Sequence, residues 1–368
     1  MGKILILTRG NLPRWEENLA LKLKAEVSMC SLMKRPWYFV LGSFAEEVQF
    51  YRKLPQAPYW KERIYHDYPF PKWLGYITPL KYLKRLYKPP KQVYDYFKKE
   101  NPDLVICSTL MLMPIYSDYD LALVARELHI PVIGVVPTWD SLCTKTKFQV
   151  KPDLVFCWNS FHREQLEKYH GISPSIIREV GPYTHESWLE LHSPTRKDKF
   201  LEKYGLKDKP IITFISSSPA TVGDETQAIE TLRDHFKDYQ LIVRPHPQRA
   251  GQYFSLKGVW VIPGTAENTQ ESRTLQTAFD CYWYSEAVYS INSSGMFDAA
   301  LIGRPICSVK TQLPDIREGA LHVKPLIPYL DGHGTKKIYE WLNVKNELPT
   351  EIIAKTIHRF GDSYRSVL

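Results

Sequence analysis

The feature that most constrains this chain is an alternation, written twice, of short unbroken apolar runs and longer segments with helical spacing. "KILILT", "PDLVICST", "IPVIGVVP" and "PDLVFCW" are too short for buried helices and too uniformly apolar for half-exposed strands. Between them, "ENLALKLKAE", "DLALVARELH" and "SFHREQLEKYHG" repeat apolar residues every three or four positions, and Gly171 is placed as a helix C-cap. Strands buried on both faces and joined by helices are parallel strands, so the pattern predicts βαβ units and an open α/β sheet. A second series begins at "PIITFISSS" and continues through "YQLIVRPHP", "GVWVIPG", "AVYSINSSG" and "RPICSVK". The polar stretch over residues 184–210 reads as a connector between the two series.

At 368 residues, two domains are expected. The fold class is α/β, with two Rossmann-like open parallel-sheet domains facing across a cleft. Residues 1–190 are expected to form the first domain, with the basic-aromatic insertion, 191–345 the second, and 346–368 a helical segment packing back on the first. No run approaches the roughly 18 apolar residues that span a bilayer, and "MGKILILTRG" lacks a signal-peptide layout. Six scattered cysteines without a CxxC pair read as buried free thiols. The expected location is cytoplasmic, with peripheral contact to the inner face of the membrane where a basic stretch permits it.

That stretch is residues 34–99, with fourteen Lys/Arg against five Asp/Glu in a chain whose net charge is +8. It also holds eighteen of the 48 aromatic residues, in runs such as "RPWYFV" and "PLKYLKRLYKPPKQVYDYFKK". Cations interleaved with aromatic rings suit a membrane surface or an anionic amphipathic acceptor. They also suit helices that pack their rings inward and leave their lysines in water. Single-stranded nucleic acid is the third fit, but no nucleic-acid module accompanies the stretch, so nucleic acid is not an expected partner.

Three polar loops follow strands of the second series. "FISSSPATVGDE" supplies Ser216, Ser217 and Ser218. "LIVRPHPQ" supplies Arg244 and His246, with prolines on both sides of the histidine. "INSSG" supplies Asn292, Ser293, Ser294 and Gly295. In a parallel sheet all three lie on one edge. An Arg fork, an imidazole and hydroxyl-rich turns at a helix start are groups a diphosphate needs. Each has a plainer reading as well, as an N-cap or a locally bonded histidine.

"LIVRPHPQ" followed by "YSINSSGMFDAALIGRPI" resembles the nucleotide-binding domain of GT-B glycosyltransferases of bacterial surface-polysaccharide synthesis. It is similar to that of bacterial sialyltransferases and Kdo transferases, and to CDP-glycerol glycerophosphotransferases. The UDP-N-acetylglucosamine 2-epimerase fold has the same general layout. The resemblance covers about residues 130–320 and fades in the basic stretch. It implies a glycosyltransferase that moves a sugar from a CMP-ulosonic acid or UDP-sugar to a glycan acceptor, free or lipid-linked. It further implies that His246 contacts the donor phosphate beside Arg244, that Ser293 and Ser294 bind the same phosphate, and that Asp298 contacts a ribose. Asp298 equally suits a helix N-terminus. No His/Asp cluster with ligand spacing is singled out, so no metal or cofactor is expected and the nucleotide-sugar is the substrate.

For proton transfer the best-placed acid is Asp140 in "VVPTWDS", either as a base, as a nucleophile in a retaining enzyme, or simply as an Asx turn. Glu17 in the loop after the first strand is the second acid. Glu225 and Glu318 lie on the donor side, Glu318 within reach of sugar or ribose. Related readings are a sugar-nucleotide 2-epimerase and a CDP-glycerol-type phosphotransferase. A non-enzymatic binding scaffold would be expected to lack Arg244, His246, Ser293 and Ser294, all of which are present.

Overall fold

A computed structural model describes residues 2–8, 14–54, 68–108, 117–144, 147–191, 193–219, 222–249, 251–263, 272–291, 293–309 and 340–365. The chain divides into two compact units, Met1–Glu186 with Leu342–Leu368, and Ser187–Trp341.

Unit 1 is built on a six-stranded sheet of order β2-β1-β3-β4-β5-β6. Its strands are β1 (Ile4–Thr8), β2 (Glu26–Met29), β3 (Leu104–Cys107), β4 (Val132–Val135), β5 (Leu154–Cys157) and β6 (Ile177–Glu179). Every pairing is parallel. β1, β3, β4 and β5 are buried at every position, which is why they read as continuous apolar runs. The crossovers carry α1 (Arg14–Leu23), α2 (Trp37–Tyr51), α3 (Lys91–Glu100), α4 (Ser117–Glu127) and α5 (Ser160–Gln165). After α5 the helix widens to a π turn and closes on Gly171 in the left-handed region.

Residues 55–67 of the basic stretch lie outside the described residues; the rest, 34–54 and 68–99, folds mostly as its plainer reading has it. Phe39, Phe44, Phe50, Tyr51, Tyr68 and Phe97 are buried. Arg35 is buried too, its guanidinium donating to both carboxylate oxygens of Asp120 at 2.8 Å and lying over the Phe39, Tyr87 and Tyr119 rings. Two 3₁₀ segments, Lys72–Tyr76 and Thr78–Leu86, pack on α2. They come so close that a Cβ on Gly42 would lie 2.7 Å from the Lys84 nitrogen, and one on Gly75 2.6 Å from Val48. Glycine is required at both places by proximity.

The C-terminal helix α10 (Pro349–Arg365) belongs to unit 1. Pro349 needs no donor partner at the first helical position. The next N–H, of Thr350, donates to Glu186 Oε2 at 2.7 Å, and the Thr350 hydroxyl donates to Oε1 at 2.7 Å. Glu186 is buried, so its charge is satisfied by a helix N-terminus and two short hydrogen bonds. Asn343 Nδ2 donates to the Trp158 carbonyl at 2.8 Å and reinforces the return of the chain.

Unit 2 carries a five-stranded sheet of order β11-β10-β7-β8-β9, again parallel throughout. The strands are β7 (Ile211–Ile215), β8 (Gln240–Arg244), β9 (Val259–Val261), β10 (Ser285–Ser290) and β11 (Ile306–Ser308). Their helices include α6 (Lys197–Tyr204) before β7, α7 (Thr226–His235), α8 (Ser272–Trp283) and α9 (Gly295–Leu301). All six cysteines are free, five of them buried. Among the described residues no helix is long and apolar enough to cross a membrane.

Two buried histidines secure the loop after β4. His162 Nδ1 accepts from the Trp158 N–H at 3.3 Å and its Nε2 meets the Trp139 carbonyl at 2.7 Å. His170 repeats the arrangement with the Phe148 N–H and the Leu142 carbonyl. A proton added at either Nδ1 would face a backbone N–H, and burial opposes the charge; both pKa values fall to about 4. The unfolded chain therefore binds protons below about pH 6.5 that the folded chain refuses. Stability should be full above that pH and decline as pH drops toward 4, by on the order of 3 kcal/mol per histidine. Urea midpoints measured between pH 7 and 4 check this, and His162→Gln should flatten the slope. At neutral pH, Glu186→Ala should lower the urea midpoint by an amount equivalent to about 3 kcal/mol, since it strands the Thr350 donors.

Candidate functional site

In an open parallel sheet, ligands bind beyond the C-terminal strand ends where neighbouring crossovers diverge. In unit 2 that point lies between β7 and β10, because the chain proceeds from β7 to β8 and β9 on one side and places β10 and β11 on the other. The loop after β7 carries Ser216, Ser217 and Ser218. The loop after β10 carries Ser293 and Ser294, and the loop after the adjacent β8 carries His246. β8 and β10 are separated by β7 alone, about 10 Å at ordinary strand spacing. The three loops the sequence singles out thus leave three neighbouring strands on one edge.

Their side chains have different fates. Ser216 Oγ donates to Glu225 Oε2 at 2.6 Å, and the Ser217 N–H donates to both Glu225 oxygens at 3.0 Å. The Tyr253 hydroxyl adds a bond at 3.3 Å and Arg249 an ion pair at 3.8 Å. Glu225 is fully buried, so this network fixes the β7 loop from beneath and occupies the first two serines. Ser218 stays partly exposed. Arg244 is buried, with Nη1 donating to the Ile262 carbonyl at 3.4 Å and to Cys281 Sγ at 3.7 Å. Its charge lies within the fold, toward α8.

His246 is half-buried. Its Nδ1 accepts from the Gln248 N–H at 3.2 Å, so the neutral ring carries its proton on Nε2. Partial burial, with the nearby Arg249 charge, holds its pKa below the ordinary histidine value. At neutral pH the ring is an uncharged N–H donor of fixed tautomer. At the β10 turn, Ser290 Oγ takes the Ser293 N–H at 3.1 Å and Ser293 Oγ takes the Gly295 N–H at 3.3 Å. Ser293 therefore behaves as a local cap. Ser294 makes no side-chain cap bond, is exposed, and keeps its hydroxyl and N–H without a partner among the described residues. Asp298 sits in the first turn of α9, where its charge helps raise the pKa of the buried Tyr282 phenol, after burial itself. Asn292 and Glu318 lie outside the described residues.

In unit 1 the corresponding divergence lies between β1 and β3, with β2 on the far side of β1. Glu17 follows there on α1 and is exposed. Its neighbour Glu16, which the pattern of the sequence does not single out, is 1% exposed and sits with Thr8, at the end of β1, and Ser108, just beyond β3. Burial raises the Glu16 pKa against hydrogen bonds from those two hydroxyls, and its Oε2 has no partner among the described residues. Its signal in the sequence was the apolar face of α1, on which Trp15 and Leu19 also lie. Asp140 follows β4, accepting from Thr138 Oγ1 at 2.8 Å while its carbonyl accepts from the Cys143 N–H. Among the described residues no group of three His, Cys, Asp or Glu side chains is arranged to hold a metal ion.

No protein-family model matches the sequence, and no curated protein matches it. Solved structures match in fold. UDP-GlcNAc 2-epimerase from Neisseria meningitidis, bound to UDP-GlcNAc, gives a TM-score of 0.51 at 13% identity over 97% of this chain and 100% of that one. UDP-N-acetylglucosamine 2-epimerase from Rickettsia bellii gives 0.51 at 11% identity, covering 98% and 97%. A glycosyltransferase from Rickettsia africae ESF-5 gives 0.52 at 9% identity, covering 98% of each chain. The narrower resemblance to sialyl- and Kdo-transferases gains nothing from these matches. At such identities the likeness is one of architecture: two parallel-sheet α/β units of the GT-B type, common to sugar-nucleotide epimerases and a glycosyltransferase.

Proposed function

We propose that the protein is a nucleotide-sugar-processing enzyme that holds a UDP-sugar by its phosphates at the strand ends of unit 2 and epimerises the sugar. The observation that carries this reading is the pair formed by His246 and Ser294. One is a neutral imidazole with a fixed N–H at Nε2 and the other an uncommitted hydroxyl and N–H, on loops of one sheet edge two strands apart. Such donors stabilise the negative charge that builds on a departing nucleotide, and donors held in place beforehand usually contribute most of the rate enhancement in reactions of this kind. Ser293 positions the turn, and Arg244 acts from within the fold through its field. The architecture shared with UDP-GlcNAc 2-epimerases supports UDP-GlcNAc as the first substrate to try.

Inverting a sugar carbon also needs a group to remove and return a proton. Unit 1 offers Glu16, whose raised pKa brings it closer to working pH and whose free oxygen is the one uncommitted acceptor of that carboxylate. Asp140 is the second acid proposed for this step. The sugar nucleotide is substrate, and no step uses a metal ion. Transfer to a glycan acceptor is the second reading, favoured by the exposed aromatics and cations of residues 72–88.

Thermal-shift measurements with CMP, CDP, UDP and GDP test the binding half. UDP should raise the melting temperature most, a ligand at a hundred times its Kd adding about 2.7 kcal/mol. His246→Ala should abolish most of the shift; an unchanged shift would remove this site from the proposal. Incubation with UDP-GlcNAc alone separates the two readings. Epimer formed without acceptor supports epimerisation, whereas UDP release only when a glycan acceptor is added supports transfer. Glu16→Gln should leave the UDP shift intact and cut turnover by about a hundredfold or more.

A further inference from the structure

Unit 1 contains a cavity of about 950 Å³ that the proposed reaction does not use. It is walled by the C-terminal half of α2 and the 3₁₀ segment Thr78–Leu86, both in the basic stretch, and by α4. Six cations line it, Arg52, Lys53, Lys81, Lys84, Arg85 and Lys147, against the carboxylates of Glu46 and Glu127. Both carboxylates are engaged: Glu46 pairs with Lys84 at 3.0 Å, and Glu127 accepts from the Tyr94 hydroxyl. Lys84, only 8% exposed at its side chain, also donates to Gln149, so its charge is matched inside the wall.

Four of the other cations differ. Among the described residues no carboxylate pairs with Arg52, Lys53, Lys81 or Arg85. Three of them are instead held by rings, with Arg52 lying 4.9 Å from the Tyr76 centroid and Arg85 and Lys81 lying 4.5 and 5.2 Å from that of Tyr82. Aromatic stacking fixes a guanidinium without neutralising it. Four cations with no carboxylate partner among the described residues, set around one concavity, repel each other, and an anion in their midst relieves that repulsion. Tyrosines 82, 87, 119 and 169 supply flat faces and hydroxyls to the same walls. Beside it, Trp73, Tyr76, Ile77 and Leu86 are 63%, 50%, 38% and 66% exposed.

We infer that this cavity is a second anion site, which binds a phosphate or diphosphate group on its ligand. The inference does not depend on the reaction assigned above. The group reaches it either as a free phosphate compound or on a lipid whose bilayer the exposed aromatics meet, and the two sources are separable. Binding of inorganic pyrophosphate is measured by calorimetry, and cosedimentation is measured with phosphatidylcholine vesicles with and without phosphatidylglycerol. Wild type is compared with Arg52→Gln/Arg85→Gln and with Lys53→Gln/Lys81→Gln, the latter a guard against misfolding of the former. Both pairs lie in unit 1 and line this cavity, whereas the strand-end site proposed above is built from residues of unit 2, so a difference between wild type and variant is assigned to the cavity.

A loss of about tenfold or more in pyrophosphate affinity in the variants identifies a site open to free phosphates. Pyrophosphate affinity unchanged, but retention on phosphatidylglycerol vesicles lost in the variants, identifies a site for lipid phosphates. Variants that match wild type in both assays, or a wild type that binds neither probe, overturn the inference.

Discussion

A parallel strand cannot hairpin onto its neighbour; the chain must leave its C-terminal end, cross the sheet and re-enter from the opposite edge. All pairings described in both sheets obey this rule. Two consequences organise the molecule. The inner strands are covered on both faces, which fills β1, β3, β4, β5, β7 and β8 with buried residues. The segments that leave strand ends gather on one edge of each sheet, where polar residues can be presented without disturbing the core. Glu16, Ser294 and His246 owe their positions to that geometry before any chemistry is considered.

The strands and most helices were legible because burial on two faces writes itself as an uninterrupted apolar run, and a crossover helix writes a different period. Charge was harder to read. The cations of residues 34–99 look alike in the sequence, yet Arg35 is sealed against Asp120 and three rings while Arg85 stacks on Tyr82 with no carboxylate partner among the described residues. The difference is set by where each residue falls in the fold: Arg35 lies just before α2, against α4, and Arg85 lies on the 3₁₀ segment Thr78–Leu86. Glu16 and Glu17 make the same point at the smallest scale: one step along α1 rotates a carboxylate about 100°, from hydroxyls at two strand ends into water. The serines of the β7 loop were readable as polar groups at a strand end, but not as the property of Glu225, because that partner sits at the far end of the loop, just before α7, and only the folded chain brings it back to them.

Histidine shows how environment divides one residue type. His162, His170 and His246 all accept a backbone N–H at Nδ1 and carry the neutral-state proton on Nε2. In the first two the Nε2 proton is taken by a carbonyl within the wall, which makes them struts. In His246 the same tautomer leaves that proton without a partner among the described residues, and the ring is only half covered. The chemistry proposed for it rests on that remaining bond.

Glu186 has a consequence for how the protein is made. Residues up to 186 leave the ribosome before their partner Thr350 has been translated, and the whole of unit 2 is synthesised in between. Until then a carboxylate destined for burial lacks the two Thr350 donors, and the face of α1 that meets α10 is bare. The nascent N-terminal portion must wait unfinished while the later portion acquires its own sheet. Maturation is therefore out of order along the chain: the segment born first is completed last.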